Sequence, residues 1–143
     1  MRVIRNYDVA SYYPHLMVLY GYASRNIPSS ETFADVLERR LKAKEEGDKH
    51  TSDTLKLVIN TAYGASLNKY NDLYDPLMGR SVCVSGQLFL LDLTYGYLEV
   101  CDTVKIIQIN TDGVIISVDD LELPKVHAVN REWEERTGFT LEE

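Results

Sequence analysis

Two aspartates and a few helical polar residues are the side chains best suited to chemistry in this 143-residue sequence. Asp8 closes a β-rich start (Val3, Ile4, Tyr7, Val9), and Asp112 lies in Asn110-Thr111-Asp112-Gly113, between two further β-rich runs. If those strands are neighbours in one sheet, the two carboxylates can meet. Such a pair is a hard-oxygen site suited to Mg²⁺, which takes one or two carboxylates plus substrate phosphates. Taken singly, Asp112 is an ordinary residue for its turn. Lys56, Asn60 and Tyr63 form the second group. At 100° per residue they share about 60° of one helix face. There a cation, an amide and a ring can hold a phosphate, a sugar edge and a base plane. The same stripe also reads as a solvated face with a half-buried tyrosine. Arg40 and Lys44 stand one turn apart on the preceding helix and can point the same way. An antiparallel hairpin can bring them opposite Lys56, three cations around one anion.

The elements that must position these residues follow from periodicity and caps. A short strand is expected near 2–8, then a helix over 11–22 with Ser11 near its cap and Pro14 in its first turn. Asn26 to Ser30 reads as a loop. Ser29 or Ser30 caps a helix to about Glu46, and Gly47 ends it. Thr51 or Ser52 starts a second helix to about Leu67, and so short a connection makes an antiparallel hairpin. Residues 71–79 are loop-like, and Arg80–Val100 is a long apolar helix. KIIQI (105–109) and VIISV (114–118) form a hairpin across the Asn110–Gly113 turn, and Lys125–Thr137 is a final helix. This order predicts an α+β domain, an antiparallel sheet backed by helices.

The net charge of −7 is unusual for a chain that would grip phosphates. It is unevenly spread: residues 1–70 hold ten Lys/Arg against eight Asp/Glu, and residues 71–143 hold five against fourteen. Composition alone does not favour DNA. No run approaches the ~18–20 apolar residues of a membrane span, so no membrane role is expected. The start lacks the layout of a signal peptide, and the expected location is intracellular. Cys83 and Cys101 fit neither a disulfide framework nor a zinc site and read as small buried apolar residues.

Together these segments resemble, in order, the three palm-and-fingers motifs of family B DNA polymerases. Asp8-Val9-Ala10-Ser11-Tyr12-Tyr13-Pro14-His15 is similar to D-x-x-S-L-Y-P-S, departing at Tyr12 and His15. Lys56 to Gly64 (KLVINTAYG) is similar to K-x-x-x-N-S-x-Y-G, departing at Thr61, and Arg40–Lys44 resembles the R-x-x-x-K of the other fingers helix. Asn110-Thr111-Asp112-Gly113 resembles half of D-T-D-S. The resemblance spans residues 2–118. It implies a palm from 1–28 and 68–143, with a short two-helix fingers hairpin, 29–67, inserted. So short a hairpin points to a compact viral, phage or mobile-element polymerase, and to a bacterial cytoplasm if phage-encoded.

The resemblance implies a template-directed DNA polymerase that adds dNMP to a primer 3′-hydroxyl with two Mg²⁺ ions, or Mn²⁺ in their place. Asp8, Asp112 and the Val9 carbonyl would be the metal ligands. Arg40, Lys44, Lys56 and Asn60 would grip the triphosphate, with Lys56 also protonating the leaving group. Backbone amides after Asp8 would add donors, with Ser11 among the nucleotide-binding residues. Tyr13 would lie under the sugar and exclude a 2′-hydroxyl, with Tyr63 behind it. Asn110 stands where the family has aspartate and lowers the site's charge by one, and Gly113 in place of Ser suits the turn. Primer–template DNA and dNTPs are the implied partners. The family's thumb and exonuclease are absent from the sequence, which reads as an excised fragment or split gene product, poorly active alone. Asn110 leaves a second reading open, a weak or silent palm serving as a binding scaffold. A reverse-transcriptase-like palm also uses paired carboxylates, but KLVINTAYG on a fingers helix speaks against it.

Overall fold

Alternation along Arg2–Val9 decides which way the sheet faces. Val3, Arg5, Tyr7 and Val9 turn to one side, where Tyr7 and Val9 are buried, and Ile4, Asn6 and Asp8 turn to the other. This segment is β1 of the computed structural model, which describes residues 1–143. It is followed by α1 (Tyr12–Leu19), α2 (Ser30–Glu45), α3 (Lys49–Leu67) and α4 (Pro76–Val100). Then come β2 (Lys105–Ile109), β3 (Gly113–Asp119), a 3-10 turn (Asp120–Glu122), α5 (Leu123–Thr137) and β4 (Leu141–Glu142). The fold is α+β, as expected: five helices and a four-stranded antiparallel sheet in the order β2-β3-β1-β4. The chain divides into two compact units, Met1–Tyr12 with Ser85–Glu143, and Tyr13–Val84.

In the first unit the sheet is covered on its apolar side by α4 and α5. Val114, Ile116 and Val118 alternate inward from β3; Leu90, Leu93 and Tyr97 come from α4, and Val126 and Trp133 from α5. All are buried, at strand or helix spacing. A Cβ on Gly96 would meet Val129 Cγ1 at 2.9 Å, so α4 and α5 approach closely at a residue without a side chain. Two of the polar groups taken inside are paired: Tyr97 donates to Asn130 Oδ1 (2.5 Å), and Trp133 Nε1 to the Phe89 carbonyl (3.0 Å). Phe139 packs on Tyr12, Phe89 and Trp133, with ring centroids 5.1–5.6 Å away.

In the second unit, α2 and α3 pack together as a hairpin. Ser29 Oγ accepts from the Thr32 amide at the start of α2, and Gly47 follows its end at φ +76°, a left-handed turn that favours glycine. Asp48 caps α3 by accepting from the Thr51 amide (3.1 Å). The loop after α1 is tied to the foot of α4 by Arg25 and Asp75. Arg25 Nε and Nη2 each donate to the Asp75 carboxylate at 2.9 Å, and the Arg25 amide adds a third bond at 3.0 Å. Those bonds hold the buried Asp75 carboxyl far below its usual range.

Several boundaries differ from expectation. Helix α1 covers Tyr12–Leu19 rather than 11–22, and Ser11 is not an extended N-cap but a left-handed residue at φ +49°. Helix α3 starts at Lys49, because Asp48, not Thr51 or Ser52, supplies the cap. Helix α4 begins at Pro76, inside the expected 71–79 loop; proline suits a first helical position, where no amide bond is required. The same logic starts α5 at Leu123 with Pro124 behind it. Strand β4 was not expected, since two residues show no alternation. Cys101 is buried as expected, whereas Cys83 is only half-buried and bonded to tyrosine.

Candidate active site

The register of β1 and β3 brings the two carboxylate segments to one end of the sheet. Asp8 stands directly opposite Gly113, one residue after Asp112. The Val9 amide donates to the Asp112 carbonyl at 2.7 Å, so the turn is bonded back onto β1. The Asn110 amide in turn donates to the Gly113 carbonyl (3.0 Å), which closes the hairpin. Because Val9 and Asp112 are hydrogen-bonded, Asp8 and Gly113 form the alternate, non-bonded pair, whose side chains are closest. A Cβ on Gly113 would run into Asp8 Oδ1 and fall 2.7 Å from the Tyr7 carbonyl. The Asp8 carboxylate therefore lies where a side chain at 113 would be. Asn6, two residues earlier on the same face, donates to Asp8 Oδ2 at 3.1 Å. On the other side of β1, Glu142 of β4 stands opposite Asp8. Asn110 and Asp112 are exposed, Asp8 is half-buried, and the side chain of Val9 is buried.

These residues could hold a divalent cation only in an open manner. No group of three or more His, Cys, Asp or Glu converges on a point. Two carboxylates and main-chain carbonyls suit an ion that keeps positions for water and phosphate.

The basic and aromatic candidates belong to the second unit, apart from Ser11 in the first. Lys56 and Asn60 are exposed on α3, and Tyr63 is half-buried one turn further on. Tyr13 on α1 meets Tyr63 edge to face, with centroids 4.9 Å apart. Arg40 and Lys44 do not share an environment: Arg40 is 8% exposed, on the stripe of Phe33, Leu37 and Ala43, and Lys44 is open to solvent. At 1.5 Å per residue from the connecting turn, Arg40 is within ~3 Å of the height of Lys56, and Lys44 stands ~9 Å nearer the turn. Helix α3 thus brings together its own three residues and Tyr13. Of the two α2 cations, only Arg40 is level with Lys56.

Tyr12, a departure from the quoted motif, is a core residue. It is 3% exposed, its ring packs on Phe139, and its hydroxyl donates to the Gly86 carbonyl at 2.5 Å. Three contributors escaped the sequence. Asn6 was findable, since period two puts it on the face of Asp8. Glu142 and Cys83 carried no local signal; Cys83 lies 20 residues from Tyr63 and 70 from Tyr13. A cleft of about 800 Å³ is lined by Met17, Arg25, Ile27 and Phe33, but by none of the candidate residues.

An α+β fold with an antiparallel sheet and a carboxylate-bearing hairpin at its end defines the class. No protein-family model and no curated protein matches the sequence. Among solved structures, the chain is similar to the family B DNA polymerase of the hyperthermophilic archaeon Pyrobaculum calidifontis, with a TM-score of 0.70 and 18% identity. The match covers 97% of this chain and 23% of that polymerase, so the chain spans about a quarter of its length. The chain has a family B DNA polymerase-like fold. No helix is long and apolar enough to cross a membrane.

Proposed function

We propose that this chain is the palm-and-fingers core of a family B DNA polymerase, adding dNMP to a primer 3′-hydroxyl. The observation that carries this reading is the β1–β3 register, which sets Asp8 opposite Gly113 and bonds Val9 to Asp112. Asp8, Asp112 and the Val9 carbonyl would hold Mg²⁺ or Mn²⁺. When bound, such ions supply activation of the attacking hydroxyl and neutralise the triphosphate. Lys56, Arg40, Lys44 and Asn60 would bind the triphosphate, and Lys56 would give a proton to the departing pyrophosphate. The left-handed turn at Ser11 would offer backbone amides to the phosphates. Tyr13 would close the space beside the sugar 2′-carbon, backed by Tyr63. The work of these residues is positioning and electrostatics around an in-line displacement. Primer–template, dNTPs and the thumb and exonuclease segments of such a polymerase would be the partners. The short hairpin Ser30–Leu67 supports a compact viral, phage or mobile-element type.

Asn110, an amide where the quoted motif has aspartate, favours one second reading, a catalytically silent palm that serves as a scaffold. Mn²⁺ titration followed by electron paramagnetic resonance separates the two. The polymerase reading expects Mn²⁺ uptake that is lost in Asp8→Ala and in Asp112→Ala. Uptake that is absent, or unchanged in both variants, overturns it.

A further inference from the structure

The sulfur of Cys83, on α4, touches two tyrosine hydroxyls from two other helices. Tyr63 Oη lies 2.7 Å from Cys83 Sγ, and either group can donate; Tyr13 Oη donates to the same sulfur at 3.9 Å. All three side chains are half-buried within the second unit. The two rings meet edge to face, with centroids 4.9 Å apart. Cys83 is a polar contact shared by the hydroxyl ends of both rings, so one side chain bears on the placement of the pair. Burial, and next the contact with Cys83, raise the pKa of the Tyr63 hydroxyl above its ordinary value.

We infer that Cys83 is a positioning residue for sugar selection, holding the Tyr13–Tyr63 pair where Tyr13 bars a 2′-hydroxyl. The inference rests on the sugar contact proposed above for Tyr13 and adds to it a residue with no ligand contact of its own. A thiol suits the place because one large, polarizable atom can meet two hydroxyls.

Equilibrium dialysis of labelled dATP and ATP with Mn²⁺ reads the preference directly. Wild type prefers dATP. Cys83→Ala lowers that preference by about threefold to tenfold, the worth of one weak hydrogen bond. Cys83→Ser, whose hydroxyl still bonds, recovers most of it. Tyr63→Phe relaxes the preference as well, and combining it with Cys83→Ala adds nothing further, because Cys83→Ala has already removed the contact that Tyr63→Phe removes. An unchanged ratio in Cys83→Ala, with Tyr13→Ala relaxed, overturns the inference and leaves the sugar contact standing. An unchanged ratio in Tyr13→Ala, or a wild type without preference, overturns both. Should Cys83→Ala fail to fold, Cys83→Val keeps the volume without the polar contacts, and a wild-type ratio in that variant overturns the inference.

Discussion

At the scale of single residues, the carboxylate end of the sheet is set by what position 113 lacks. Asp8 and Gly113 face each other at the closest spacing a sheet offers, and Asp8 Oδ1 occupies the space of a 113 side chain. Gly113→Ala should displace the carboxylate and cost about 1–3 kcal/mol in folding, the usual penalty of overpacking. Urea melts measure the cost, and Mn²⁺ affinity should fall in the same variant. Wild-type affinity at wild-type stability would show that Asp8 moves aside freely. Asn110 differs from its neighbour, because it offers a neutral carbonyl oxygen at most. Asp112→Ala should abolish nucleotidyl transfer in a complete enzyme, and Asn110→Ala should lower it only modestly. Asn110→Asp should be tolerated and should tighten Mg²⁺ binding. Single-turnover primer extension across a Mg²⁺ titration ranks all three, and equal loss in Asn110→Ala and Asp112→Ala would make the amide a metal ligand. Tyr13→Ala should raise ribonucleotide incorporation in the same assay.

At the scale of elements, Glu122 fastens the segment before β2 to the turn that leads into α5. Its carboxylate accepts from the Thr103 hydroxyl (2.5 Å), the Thr103 amide (2.9 Å) and the Asp102 amide (3.1 Å), and pairs with Lys125 at 2.9 Å. The Thr103 hydroxyl first, and Lys125 after it, bring its pKa down to about 2 from the usual 4.5. A depressed carboxyl stabilises the fold above its unfolded pKa, and that contribution is lost as pH falls through the folded value. The Tm gap between wild type and Glu122→Gln should therefore be full above about pH 5 and shrink between pH 4.5 and 2. A gap that stays constant over that range would mean the carboxylate's charge is not what these bonds use. Thr103 also accepts from the Asp119 amide (3.0 Å), so one loop is tied to both ends of the turn.

At the scale of the molecule, charge follows the division into units. The first unit holds six Lys/Arg against thirteen Asp/Glu, and the second holds nine of each. All of the net −7 therefore belongs to the unit that carries Asp8 and Asp112. Without a further basic surface, phosphate binding is weak, and the 143-residue chain should bind primer–template with a Kd on the order of 10⁻⁴–10⁻⁶ M. Fluorescence anisotropy at physiological salt measures it. Nanomolar binding would show that the exposed cations of the second unit suffice.

Period-two and period-3.6 patterns made most of this protein legible from its sequence. Strand propensity, turn chemistry and apolar content are local properties, so β1, the β2–β3 hairpin and the helices α4 and α5 follow from the sequence. The helical grouping of Lys56, Asn60 and Tyr63 follows for the same reason. Register does not. That Asp8 pairs with Gly113, and not with a residue one or two positions away, depends on matching Tyr7, Arg5 and Val3 to Val114, Ile116 and Val118 across more than 100 residues of chain. Strand β4 and Glu142 depend on β1 offering a second edge, which no two-residue segment announces. Spacing lets Arg40 and Lys44 point the same way, yet Arg40 falls on the buried stripe of α2 with Phe33, Leu37 and Ala43, and Lys44 does not. The meeting of Cys83, Tyr13 and Tyr63 joins three helices, and contacts between helices distant in sequence are made by packing, which local spacing does not encode.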